Sequence, residues 1–224
     1  MKYIIFIVMH NIINNLKKIK NEFKEKKISI IPQIIAVSKT FPIDKITPLI
    51  EYGHIHFGEN KIQEAIKKWP LVKEKFKNVK LHMIGKCQTN KVKYLIPLFD
   101  YFHSLDNLKL ADKISKEQIK KDKKLKIFIQ VNIGNESQKN GIEIGKVKSF
   151  YKECNERFDL NIIGLMCIPP IYSDSKECFS KMKDLSDEIG LENLSMGMSD
   201  DYLEAAKYGS SFLRIGTKIF GKRV

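Results

Sequence analysis

The 224 residues are 43% hydrophobic, enough for one sizeable core and an awkward length for two, so a single domain over residues 1–224 is expected. A formal net charge of +14 would ordinarily point to a polyanionic partner, but 37 of the 40 basic residues are lysine, in a chain also crowded with Ile and Asn, and they do not interleave with aromatics as in single-strand binding grooves, which sets specific nucleic-acid binding aside. The four cysteines, Cys87, Cys154, Cys167 and Cys178, form no C-x-x-C pair, which excludes a zinc-site spacing and a disulfide-stapled secreted fold and reads as reduced thiols in a cytosol.

In chain order, residues 3–9 are apolar but short, lack a small-residue cleavage site and run into a polar stretch, unlike a signal peptide or a membrane span, so a cytoplasmic protein without membrane contact is expected. Residues 11–27 place Ile12, Ile13, Leu16, Ile19 and Phe23 at helical spacing with lysines opposite, an amphipathic opening helix. Short apolar runs then recur at 34–38, 55–57, 81–84, 101–104, 126–132, 162–167, 194–196 and 212–215, which predicts eight strands. Amphipathic segments at 44–52, 61–69, 90–97, 108–120, 144–157, 175–189 and 199–208 predict the helices between them. No linker divides the series. The expected fold is therefore α/β, a single (β/α)8 TIM-type barrel over residues 28–224 with an extra N-terminal segment and helix over 1–27, and an open doubly wound sheet is the alternative.

In such a barrel the chemistry lies at the C-terminal ends of the strands. Those ends carry Lys39, Gly58 with Glu59 and Asn60, Gly85 with Gln88 and Asn90, Ser104, Asn132, Met166, Gly197 with Ser199, and Arg214 with Gly216 and Thr217, whereas the opposite ends are mostly lysine, glutamate and turn residues. Most lysines in this chain are expected to be surface residues. Lys39 stands apart because it follows a β-run directly, where desolvation lowers an amine's pKa and frees it to form Schiff bases with aldehydes. Ser199 and Gly197 precede a helix expected to begin near Asp200, where backbone N–H groups favour an anion, and Gly216 with Thr217 offers close backbone approach and a hydroxyl donor. Each has a plainer reading: Ser199 is also a good N-cap, and Arg214, flanked by Leu213 and Ile215, could be held by a buried ion pair. His54 and His56 have the i, i+2 spacing of a strand metal pair, but no third ligand is evident, so they read as ordinary turn and strand-edge residues and no metal is expected.

The stretches "AVSKTFP" (36–42), "FGENKIQE" (57–64), "LHMIGKCQTNK" (81–91), "QVNIGNESQKNGIE" (130–143), "GLMCIP" (164–169) and "LSMGMSDDYLEAAKYGSSFLRIGTKIFGKR" (194–223) together resemble the pyridoxal phosphate homeostasis protein family, which is related to the N-terminal domain of alanine racemase. The resemblance covers nearly the whole chain. It departs at Leu81, where the family often has an aromatic residue, and at Cys87, where leucine is usual. It implies pyridoxal 5'-phosphate as the cofactor, held as an aldimine on Lys39, with Arg214 facing the pyridine nitrogen and Ser199, Gly216 and Thr217 holding the phosphate. Asn60, His82 and Met166 fall on matching positions near the cofactor, and Lys139 matches a second lysine implicated in cofactor handling. An arginine at the ring nitrogen leaves it unprotonated and weakens the cofactor as an electron sink, so no catalytic residue is assigned. The expected role is intracellular cofactor homeostasis, by a monomer that exchanges the cofactor with dependent apoenzymes. An alanine-racemase-like enzyme is the alternative, disfavoured because no additional β-domain is expected after the barrel.

Overall fold

The computed structural model describes residues 2–136 and 140–222, with side chains from residue 11 onward. Its strands are β1 (Gln33–Val37), β2 (His56–Glu59), β3 (Lys80–Met83), β4 (Tyr101–Leu105), β5 (Lys126–Asn132), β6 (Ile142–Glu143), β7 (Asn161–Cys167), β8 (Asn193–Ser195) and β9 (Phe212–Ile215). All pair in parallel in the order β4-β3-β2-β1-β9-β8-β7-β5, and β5 returns to β4, so eight strands close a barrel. Each of the eight expected strands lies within two residues of an observed one. Closure rules out the open sheet. The extra strand, β6, pairs only with Val131 and Asn132, beyond the last partner that β4 offers β5.

Helices cover the outside: α1 (Lys2–Glu25), α2 (Ile43–Glu51), α3 (Ile62–Lys68), α4 (Pro70–Lys75), α5 (Val92–Leu98), α6 (Leu108–Lys121), α7 (Val147–Arg157), α8 (Ser175–Ile189), α9 (Tyr202–Lys207) and α10 (Thr217–Phe220). Their ends follow local chemistry. Asn107 caps α6 by accepting from Leu110 N–H at 2.8 Å, and Asp174 caps α8 by accepting from Lys176 N–H at 2.9 Å. Gly190, at φ +71°, ends α8 in the left-handed conformation that glycine adopts without strain. The periodicity of 61–69 predicts one helix, but Pro70 starts a second, since proline at the first position of a helix sacrifices no intrahelical hydrogen bond. Likewise 199–208 yields only α9, from Tyr202 to Lys207, because Gly197 at φ +90° and the turn after it consume the residues before it.

The opening helix is longer than the 11–27 expected, running from Lys2, and it buries Ile12, Leu16, Ile19 and Phe23 on one stripe. Burial of such side chains contributes about 1.5 to 3 kcal/mol each. Polar contacts fix its pose against the end of the barrel: Asn15 Nδ2 donates to the Ile219 carbonyl at 3.0 Å, and the Tyr202 hydroxyl donates to Glu22, beside Lys218. Among the described residues no helix is long and apolar enough to cross a membrane.

Strand alternation sorts the core into two shells. Outward residues such as Ala36, Phe57, Leu81, Phe102, Ile127, Leu165 and Leu213 pack under the helices, while Ile35, Tyr101, Phe128, Met166 and Phe212 fill the barrel itself. The interior also takes histidines, which is unusual for a layer that branched aliphatics commonly fill. The His82 ring stacks on Tyr101 with centroids 4.1 Å apart, and His103 on Phe128 at 4.4 Å. His56 joins them from β2, with its Nδ1 2.9 Å from His82 Nε2. This corrects the reading of His56 as a strand-edge residue. Inward phase on β2 buries its ring, and His54 is buried behind it with Nε2 2.9 Å from the His56 carbonyl.

Burial lowers the pKa of all four rings, His54 and His56 to about 4 and His82 and His103 well below the usual value. The unfolded chain takes up these protons near pH 6.5, so it binds more protons than the folded chain as the pH falls from about 6.5 towards 4. Stability from the neutral rings is thus complete above about pH 6.5 and declines below it. At pH 5 the loss should be about 2 kcal/mol for each of His54 and His56, read as a fall in the urea midpoint relative to pH 7.5. An unchanged midpoint across that interval would mean that the rings are solvated or charged in the native state.

Candidate functional site

The loops after β1, β2, β8 and β9 meet over the C-terminal mouth of the barrel around a cavity of about 250 Å³. Lys39, Asn60, Ser199, Arg214, Gly216 and Thr217 all line it. Its apolar wall is Val37, Ile84, Ile168 and Met198, side chains that the motif reading missed; Ile84 follows His82 in the inward phase of its strand and was legible from that alone. Asp200 also borders the cavity, as an exposed carboxylate at its rim.

Lys39 is half-buried, on a turn whose flanks are held tightly. The Ser38 hydroxyl donates to Glu59 Oε1 at 2.8 Å, and the Thr40 N–H donates to Glu64 Oε1 at 2.6 Å. Thr40 adopts φ +69°, a conformation that costs a β-branched residue energy and that these contacts must over-determine. Lys68 ties the pieces together, donating to the Ser38 carbonyl at 3.1 Å, Glu59 Oε1 at 2.9 Å and Glu64 Oε1 at 3.1 Å. Trp69 Nε1 adds a third donor contact to Glu59, at 3.0 Å to the same oxygen. Glu59 is fully buried on the outward face of β2, and Lys68 with these donors offsets the cost of burying it. From sequence only Glu59 was named, as one of the polar groups at the strand ends, and its ties to Glu64, Lys68 and Trp69 were not. The available signal was an acid ending a strand that is otherwise apolar on that face.

Arg214 rises from the inward face of β9 and is only 5% exposed. Nη1 donates to the Ser195 carbonyl at 2.6 Å and to Ser195 Oγ at 2.8 Å, while Nη2 donates to the Cys167 carbonyl at 2.8 Å. No carboxylate pairs with it among the described residues, so the ion-pair alternative gives way to dipoles from β7 and β8. Burial lowers its pKa from the usual guanidinium value, with Cys167 and Asp201 opposing that shift. Three of its five N–H donors are engaged with the protein.

The last two loops are joined by side chains. Thr217 Oγ1 donates to Ser199 Oγ at 2.9 Å, and the Lys218 N–H reaches the same oxygen at 3.4 Å. Ser199 is therefore not the cap of α9; Asp201 precedes that helix and accepts from the Met198 N–H at 2.6 Å. Gly197 is needed by the fold, since a Cβ there would lie 2.5 Å from that of Ala205. Gly216 is different, because its Cβ would meet nothing closer than Val37 at 3.5 Å. The chain's own packing leaves room for a side chain there, and its absence keeps the cavity wall open.

His82 and Met166, expected near these residues, do not line the cavity. Both are fully buried in the barrel beneath it, His82 between His56 and His103 and Met166 against Phe128 and Phe212. Lys139 lies outside the described residues. No group of three or more His, Cys, Asp or Glu among the described residues could hold a metal ion. A larger cavity of about 460 Å³ opens at the other end of the barrel, where Lys20, Phe23, Ile31 and His54 face it, but it gathers none of the residues at the strands' C-terminal ends.

Comparisons with known proteins place the chain in a family and a fold. The family model described as alanine racemase, N-terminal domain, matches residues 7–224. A pyridoxal phosphate homeostasis protein of Aquifex aeolicus is 37% identical over 200 residues, 85% of this chain and 87% of that protein. The structure of PipY from Synechococcus elongatus with PLP bound is 27% identical, with a TM-score of 0.80 over 94% of this chain and 100% of that one. An alanine racemase of Clostridium difficile shares the fold, at TM-score 0.74 and 16% identity, and this chain spans 57% of its length. The chain belongs to the alanine racemase N-terminal domain family, and within it to the pyridoxal phosphate homeostasis proteins.

Proposed function

We propose that this chain binds pyridoxal 5'-phosphate at the barrel mouth, with Lys39 as its covalent anchor, and keeps and exchanges the cofactor instead of turning over amino acids. The observation that carries this reading is the convergence of one lysine, one buried arginine and a hydroxyl pair on a single cavity. The donor set fits the cofactor. Ser199 and Thr217 offer hydroxyls, and the first turn of α10 leaves N–H groups without intrahelical acceptors, as a phosphate requires. Gly216 supplies the open wall against which such a group would sit. The PLP-bound relative and the names of the curated relatives support the same reading.

When bound, the cofactor would supply an aldehyde for an amine and a ring that can accept electrons. The protein's residues decide how far that chemistry goes. Lys39 would anchor the cofactor through its amine, on a turn clamped by Glu59, Glu64 and Lys68. Arg214 is a donor only, so it would favour an accepting, unprotonated ring nitrogen beside it. That arrangement disfavours carbanion chemistry. The cofactor would be retained in a reactive form yet released to apoenzymes that depend on it.

Replacement Lys39→Ala should abolish the visible absorbance of the bound cofactor and its fixation by borohydride. The unfolding free energy from urea titration should stay within about 0.5 kcal/mol of the parent, because the residue is half-buried on a rim and contributes little to the core. Retained absorbance would move the anchor to another lysine.

Exchange and catalysis are separated by mixing. Holo-protein incubated with a pyridoxal-phosphate-dependent apoenzyme should restore that enzyme's activity, and alanine racemisation by the holo-protein should match that of free cofactor. Enzymes generally turn over at about 1 to 1,000 per second, far above such a background. Robust racemisation lost in Lys39→Ala would instead establish a racemase-like enzyme.

A further inference from the structure

The interior histidines are not separate space-fillers but successive links of one hydrogen-bonded line. His56 Nδ1 lies 2.9 Å from His82 Nε2, His82 Nδ1 lies 2.9 Å from His103 Nε2, and His103 Nδ1 lies 2.9 Å from Ser195 Oγ. The line ends on Arg214, whose Nη1 donates to that hydroxyl at 2.8 Å. It thus connects β2, β3, β4 and β8 to the arginine that borders the cavity.

Its direction follows from donor counting. A guanidinium can only donate, so Ser195 Oγ accepts from Arg214. The one proton of Ser195 then has His103 Nδ1 as its acceptor. A neutral imidazole that accepts at Nδ1 carries its hydrogen on Nε2, which faces His82 Nδ1, and the same logic passes from His82 to His56. All three rings are therefore neutral with the hydrogen on Nε2. The reverse order would leave the Ser195 proton without a partner in a fully buried position, which costs free energy. Burial also disfavours charge on each ring, and Arg214 disfavours it further on His103.

We propose that Ser195 and His103, supported by His82 and His56, are positioning residues for Arg214: a one-way hydrogen-bond chain holds the Nη1 edge of the guanidinium and leaves its remaining N–H donors for the cavity. The carbonyls of Ser195 and Cys167 hold the same group, so the chain fixes orientation in addition to them. The direction of the chain is independent of any ligand, whereas its effect on bound pyridoxal phosphate rests on the reading above.

The full-length protein without cofactor, labelled with 15N, tests the direction by long-range proton–nitrogen correlation of the imidazoles at neutral pH. The sequence has five histidines, so assignment by single substitutions is tractable. His56, His82 and His103 should each be neutral with hydrogen on Nε2, and Ser195→Ala should let at least one of the three adopt the Nδ1–H form. A charged ring or an Nδ1–H ring among them in the parent protein would overturn the chain. The second arm adds pyridoxal 5'-phosphate: Ser195→Ala should lose the cofactor roughly tenfold faster and shift its absorbance, as loss of one charge-assisted hydrogen bond predicts, with Ser195→Thr closer to the parent. Unchanged release and spectrum in Ser195→Ala would reject the positioning role. Failure of the parent protein to bind the cofactor would instead defeat the functional reading, with the tautomers still deciding the chain.

Discussion

A guanidinium buried with no carboxylate partner among the described residues is the constraint around which this barrel is organised. Arg214 is held by two carbonyls and a hydroxyl, partners that orient the charge without neutralising it. An uncompensated buried cation is expensive unless it is well hydrogen-bonded, so β7, β8 and β9 must stay in register for the fold to tolerate it. Cys167 and Ser195 stand at the C-terminal ends of β7 and β8, level with the cavity floor. A ligand that accepts hydrogen bonds from Arg214 would relieve the same cost, which links the site to the stability of the mouth.

The opposite wall solves the converse problem. Glu59 is a buried anion, and Lys68, Trp69 and Ser38 converge on one of its oxygens, while its Oε2 has no partner among the described residues. This cluster lies outside the barrel, under α3, yet it sets the backbone on both sides of Lys39. The two charges do different work. Glu59 fixes where a lysine backbone sits, and Arg214 fixes what kind of atom can face it across the cavity.

The barrel was legible because strand runs such as 126–132 and 212–215 are dense in β-branched and apolar residues, and closure followed from eight strand-helix units without a break. Lys39, Ser199, Arg214, Gly216 and Thr217 were legible because their loops follow those strands directly, so the sequence order already placed them on one rim. What escaped depends on side-chain phase between distant strands. Whether His82 faces the cavity or the axis beneath it is set by the height of the mouth, which no local pattern encodes, and the run 55–57 contains His56 without saying which of its two faces turns inward. The short helices α4 and α10 were missed for a related reason, since at six and four residues they are too short for a helical period to register.

The central claim is that one lysine among 37 is the anchor of the cofactor, and peptide mapping tests it most directly. The protein would be incubated with one equivalent of pyridoxal 5'-phosphate, reduced with borohydride, digested and sequenced by mass spectrometry. The account predicts a single dominant modified residue, Lys39. Modification centred on another lysine, or spread across the lysine-rich surface, would contradict it.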